Sequence, residues 1–222
     1  MYHPEYAMFF DMHTQQACPT VGKDFDAARF AANLKRSGVD LVGFHAKCNQ
    51  GFCYFDTKIG LRHPALDNGR DIFGEVVSEC ARQNIKVSAY FNCGLSNEDA
   101  VVHPEWSRMG LQGNILHPEV YDIGWISPYI RTMCPNSPWR DHLMDMIREV
   151  REKYDVAGFL FDSRVGFGGT PTTGNGLRSA VRVDFSLCYN CFRRHVPSKL
   201  CRFSDDDQFC VISLGALRGA AR

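Results

Sequence analysis

The run Val156-Ala157-Gly158-Phe159-Leu160-Phe161-Asp162 constrains this chain most. Small and apolar residues without polar alternation suit a strand buried on both faces. An acid directly after such a run sits where the strand leaves the core. In sheets of parallel strands, that edge is where chemistry is placed. Asp162 is therefore the first catalytic candidate. The alternative is an Asp that caps the next loop or pairs with Arg164.

The same sign, a polar residue closing an apolar strand, recurs upstream. Tyr6 to Phe10 closes on Asp11-Met12-His13. Val39 to Phe44 closes on His45-Ala46-Lys47, and Ile85 to Phe91 closes on Asn92. Helical periods separate these strands. Ala27, Phe30, Ala31 and Leu34 follow i, i+3, i+4, i+7, with Asp24 as the expected cap and Gly38 as the stop. Phe73, Val76, Val77, Cys80 and Ala81 share a second helical face. A third helix is expected from Ser137-Pro138, with Leu143, Ile147, Val150 and Tyr154 turned inward.

Strands alternating with amphipathic helices imply crossovers and a parallel α/β sheet. An open doubly wound sheet and a (β/α)8 TIM-barrel both begin this way. No G-x-G-x-x-G follows the first strand, and polar residues close successive strands, so the barrel is the expected fold. A full barrel needs about 250 residues, and the strand ending at Asp162 is only the fourth. The chain thus reads as the N-terminal half of a barrel. Residues after His195 lack a clear period and read as an irregular tail, frame-shifted or truncated.

Charge is balanced, with Lys plus Arg at 25 and Asp plus Glu at 25, so no global basic field recruits nucleic acid. No apolar run is long enough to span a bilayer. The start of the chain lacks the basic and apolar pattern of a signal peptide, which makes the cytoplasm the expected location. The 10 cysteines are then expected as reduced thiols. Cys188-x-x-Cys191 stays open between a redox pair, half a zinc site and two buried thiols.

Asp11 and His13 are two apart, so an extended backbone puts them on one face, fit to hold hydroxyls or simply to satisfy each other. The segment Ala46 to Phe55 mixes amide and ammonium donors with aromatic rings, as polyol recognition requires. Lys47 and Asn49 are its hydroxyl-binding candidates. Asn92, Trp106, Trp125 and Tyr129 are weaker ones, since loop aromatics often only cover a core. For a second carboxyl group the candidates are Asp11, Glu98, Glu105 and Glu119. No metal site or cofactor is expected among them.

Taken in order, Phe10-Asp11-Met12-His13, Ala46-Lys47-Cys48-Asn49-Gln50-Gly51-Phe52, Tyr54-Phe55-Asp56-Thr57-Lys58, Cys134 to Arg140, Gly158 to Asp162 and Cys188 to Arg194 resemble the hypothetical glycosyl hydrolase 6 family. That family is similar to the α-L-fucosidases of glycoside hydrolase family 29. The resemblance implies that residues 1–195 are the N-terminal part of a (β/α)8 glycosidase-like domain, followed by a tail over 196–222. It implies a carbohydrate substrate and retaining hydrolysis, with Asp162 as nucleophile and Asp11, His13, Lys47, Asn49, Asn92 and Arg164 around the sugar. The fucosidase motif after the second strand reads Lys-His-His-Asp-Gly-Phe, and here Cys48 and Asn49 replace its histidines. The identity of the sugar therefore does not carry over. A pseudo-enzyme that binds carbohydrate without cleaving it is the alternative, and self-association of the chain is left open.

Overall fold

A computed structural model of the protein describes residues 4–66, 69–109, 131–162 and 210–212. The elements run β1 (Ala7–Phe9), α1 (Ala27–Arg36), β2 (Leu41–Lys47), β3 (Phe52–Cys53), β4 (Leu61–Arg62), α2 (Ile72–Arg82), β5 (Lys86–Asn92), α3 (Asn97–Val102), a 3₁₀ turn (Pro104–Trp106), α4 (Trp139–Lys153), β6 (Gly158–Asp162) and β7 (Cys210–Ile212). They form a mixed α/β structure around a central sheet.

The parallel strands β1, β2, β5 and β6 lie side by side in chain order. Each step through the sheet moves in the same direction, without the reversal of a doubly wound sheet. Helices α1 and α2 pack against each other. The short β3 pairs antiparallel with the end of β2, and β4 continues from it in parallel. Strand β7 pairs antiparallel with β6, opposing Ile212 to Phe159 and Cys210 to Phe161.

Alternation along the strands divides the residues between two faces. Val42, Phe44, Val87, Ala89, Phe91 and Phe159 are buried against the helices. The helices answer with Ala27, Ala31 and Leu34 from α1, Phe73, Val76, Val77 and Cys80 from α2, and Trp139, Leu143, Met146, Ile147 and Val150 from α4. Gly43, His45, Tyr90, Asn92, Leu160 and Asp162 belong to the opposite face. There Gly43 makes room for Phe9, whose ring would stand 2.9 Å from a Cβ on residue 43.

Several expected boundaries moved. Asp26, not Asp24, caps α1 by accepting the Arg29 N–H at 2.9 Å. Strand β2 starts two residues late and continues through His45 to Lys47, because the ladder with β5 holds it that far. Ala81 is exposed rather than part of the buried face of α2. Pro138, not Ser137, is the N-cap of α4, and Ser137 stands one residue earlier, accepting the Trp139 N–H at 3.2 Å. The segment after β5, expected as a loop, contains α3 and the 3₁₀ turn.

The turn from β2 into β3 depends on Gly51, whose φ of +110° is open mainly to glycine. A Cβ at that position would meet Ser96 Oγ at 2.7 Å and the Glu98 backbone nitrogen at 3.3 Å. The turn therefore rests directly on the start of α3. Gly51→Ala is expected to lower stability by about 1–3 kcal/mol, read as a shift of the urea midpoint at unchanged slope.

Candidate active site

The tips of β1, β2, β5 and β6 bring polar side chains to one end of the sheet. After β1 the backbone stays extended, so Asp11 and His13 point the same way, as their spacing predicts. His13 Nε2 lies 2.8 Å from Asp11 Oδ1, and His45 Nε2 lies 3.2 Å from the same oxygen. His45 comes from β2, which places it beside the extension of β1 through the Phe9–Gly43 register.

His45 is sandwiched among rings. Tyr90 stacks on it at 4.0 Å and Phe9 at 5.6 Å, while His13 meets it edge-on at 5.1 Å. Burial, with the charge of His13, pushes the His45 pKa down to about 2, so its imidazole is neutral. The Asp11–His45 contact is therefore not an ion pair at neutral pH.

Tyr90 carries the connection to Asp162. Its hydroxyl donates to Asp162 Oδ2 at 2.5 Å and accepts from Asn92 Nδ2 at 3.2 Å. Burial and the bond to Asp162 push the Tyr90 pKa up, so the phenol keeps its proton and remains a donor. Asn92 in turn accepts the Leu95 N–H at 3.0 Å, which fixes its amide. Asp11, His13, Asn92 and Asp162 thus belong to one cluster, joined by His45 and Tyr90.

Lys47 does not join them. A register shift between His45 and Lys47 pairs Lys47 with Phe91, a helix-facing residue, and so turns the lysine to the other side. Its ammonium is fully enclosed. It donates to Cys48 O at 3.2 Å and Ser96 Oγ at 3.3 Å, and lies 4.9 Å from the centre of the Trp139 ring. Ser96 passes the interaction on by donating to Asp99, and His142 Nε2 stands 3.7 Å from the same carboxylate. Burial opposes the charge on Asp99, but His142, Lys47 and Ser96 together hold its carboxyl below the usual range.

Asn49 is buried, and its Oδ1 has no hydrogen-bond partner among the described residues. The neighbouring Cys48 thiol is enclosed. Burial raises its pKa, yet His13, Lys47, Tyr54 and the Thr14 backbone outweigh that and draw it below the usual thiol range. Cys48, Cys53, Cys80, Cys93 and Cys134 are all free thiols. Of the remaining carboxyl candidates, Glu98 accepts from Asn97 and Glu105 pairs with His103 on the surface. Trp106 stacks on His103 at 3.7 Å. Arg164, Glu119, Trp125, Tyr129, Cys188, Cys191 and His195 lie outside the described residues.

From sequence His45 was read as closing its strand but given no site role, and Tyr90 was not singled out. The available signal was the strand period. Tyr90 stands two residues before Asn92 and therefore shares its face, and His45 is a polar residue inside an apolar strand.

A family model described as hypothetical glycosyl hydrolase 6 matches residues 26–163, more than half of the sequence. The chain belongs to this family. No curated protein matches it. Among solved structures it is similar to α-L-fucosidase isoenzyme 2 from Paenibacillus thiaminolyticus, with a TM-score of 0.65 at 23% identity over 84% of this chain and 25% of that one. It also matches the Thermotoga maritima α-fucosidase in complex with fucose, at TM-score 0.46 and 21% identity over 64% of this chain and 29% of that one. A hypothetical protein from Ruminiclostridium thermocellum gives TM-score 0.49 at 16% identity, over 64% of this chain and 72% of that one. The likeness to the Paenibacillus enzyme is one of fold, and this member of the hypothetical glycosyl hydrolase 6 family spans about a quarter of that chain. Among its described residues no helix is long and apolar enough to cross a membrane.

The enclosed Lys47–Ser96–Asp99 chain makes a stability prediction. Asp99→Asn leaves a buried ammonium without its counter-charge and is expected to cost about 3–5 kcal/mol. The native Asp99 carboxyl has the lower pKa, so its contribution is complete above the unfolded value of about 3.9. It fades as the pH falls from there through the native value. Urea titrations from about pH 6 down to pH 2 should show an acid-dependent component in the native protein that the variant lacks.

Proposed function

We propose that this chain carries the front half of a (β/α)8 glycosidase domain and that Asp162 is its retaining nucleophile. The observation that carries the reading is the position of Asp162. It ends a parallel strand beside the tips of three others, with a phenol donor on one carboxylate oxygen and the Asp11–His13–His45 group alongside. Family membership supports glycoside chemistry, and the sequential strand order supports a barrel wound in one direction.

In this mechanism Asp162 attacks the anomeric carbon while a second carboxylic acid protonates the leaving oxygen. Water then releases the sugar from the covalent intermediate. The two carboxyl groups of a retaining pair stand about 5–5.5 Å apart. Tyr90 holds the nucleophile in orientation and spreads its charge until attack. His13 and Asn92 hold sugar hydroxyls, with Asp11 fixing His13. Lys47 acts from behind, by fixing the loop that carries Asn49. This reading also assigns Arg164 to substrate binding.

A second reading rests on Cys48 and Asn49, which replace the paired histidines of the fucosidase motif. It keeps the pocket for carbohydrate without turnover. The free thiols support a reducing, cytoplasmic setting. Among the described residues the sheet does not close, which supports association with further copies.

The test uses a panel of aryl glycosides with the full chain. Asp162→Asn should lower kcat by about 10⁴-fold or more while sugar binding by calorimetry persists. Turnover retained by Asp162→Asn excludes the nucleophile role. Binding without turnover in the native chain establishes the pseudo-enzyme reading.

A further inference from the structure

We propose that Asp11, His13 and His45 form a binding site for a divalent first-row transition ion such as Zn²⁺. One ligand atom from each residue lies within 4.8 Å of the others. The closest approaches are 2.8 Å between Asp11 Oδ1 and His13 Nε2, and 3.2 Å between Asp11 Oδ1 and His45 Nε2. Bonds of about 2.0–2.2 Å from one ion to such atoms put neighbouring ligands about 3 Å apart. Two imidazoles and one carboxylate suit zinc and its neighbours rather than calcium or magnesium, which take oxygen.

Hydrogen bonding alone satisfies this group poorly. His45 Nε2 faces the Met12 N–H at 3.2 Å as well as the Asp11 carboxylate. If Nε2 accepts from Met12, it meets Asp11 as one acceptor against another. If it donates to Asp11, the Met12 N–H loses its acceptor. In either tautomer the buried Nδ1 of His45 has no hydrogen-bond partner among the described residues. A cation between Asp11 Oδ1 and the two Nε2 atoms removes the clash of lone pairs between Asp11 and His45, in exchange for the Met12 N–H bond to Nε2.

The surroundings fit a held but accessible ion. The His45 side chain is fully buried and that of His13 is 10% exposed, so both rings are fixed by packing. The Asp11 side chain is 54% exposed, which leaves one side open to water or to a substrate oxygen. The buried Nδ1 of His13, like that of His45, has no hydrogen-bond partner among the described residues. The site adjoins the Tyr90–Asp162 pair through the His45–Tyr90 stack. Binding of the ion itself requires no glycosidase activity, so the two readings fail separately.

The test is a Co²⁺ titration of the full 222-residue chain, prepared without chelator and under reducing conditions. The expected result is one equivalent bound, with visible absorption bands and no sulfur-to-cobalt charge transfer. Zn²⁺ should displace it. Asp11→Asn and His13→Gln should each weaken binding at least tenfold while circular dichroism shows the fold retained. Both residues sit outside the packed core, which keeps these variants foldable. A Cys188→Ser, Cys191→Ser double variant should bind as the native chain does. No binding at millimolar Co²⁺, a thiolate spectrum, or binding that survives either of the two ligand substitutions overturns the proposal.

Discussion

The ladder between β2, β5 and β6 is the constraint on which the site depends. Its parallel register sets His45 opposite Tyr90 and Asn92 opposite Asp162. Because side chains alternate with period two, a slip of one residue would turn His45 and Tyr90 into the helix-packed layer and bring Phe44 and Phe91 out. The apolar weight of Phe44, Ala89, Phe91 and Phe159 against α1, α2 and α4 prevents that slip. Burial of one face thus fixes the position of every polar group on the other.

The register shift at Ala46 is a second device of the same ladder. It splits two basic residues of one short strand between opposite sides. His45 goes to the cluster with Asp11 and Asp162, and Lys47 goes beneath Trp139 to the start of α3. A buried ammonium is costly unless its donors are used and its charge is balanced. Ser96, Asp99 and the Trp139 ring meet that requirement. The arrangement ties the β2–β3 turn, α3 and α4 into one unit behind the site. Gly51 is the geometric partner of this device, since any side chain there would strike Ser96.

The neutral imidazole of His45 and the protonated phenol of Tyr90 share one cause. Both are stacked, buried and denied the water that would stabilise a charge. The two rings that lie between Asp11 and Asp162 are therefore uncharged. Such a layer transmits hydrogen-bond geometry without itself titrating near neutral pH.

Much of this was legible in the sequence. The apolar runs marked β1, β2, β5 and β6, the helical periods marked α1, α2 and α4, and the polar closing residues picked out Asp11, His13, Asn92 and Asp162. These features are local: they follow from the strand period, the helix period and the chemistry of capping. The short helix α3 was hidden because its sequence is polar and six residues long. Tyr90 was hidden because it reads as part of a strand core, and the role of His45, visible only as a polar strand end, waits on its neighbours across the sheet. The sequence by itself determined which segments are strands and helices and which strands end in polar groups. Only the tertiary structure decided that Lys47 and His45 part company and that Tyr90 bridges to Asp162. Those outcomes depend on inter-strand register, which is set by packing between residues far apart in the chain.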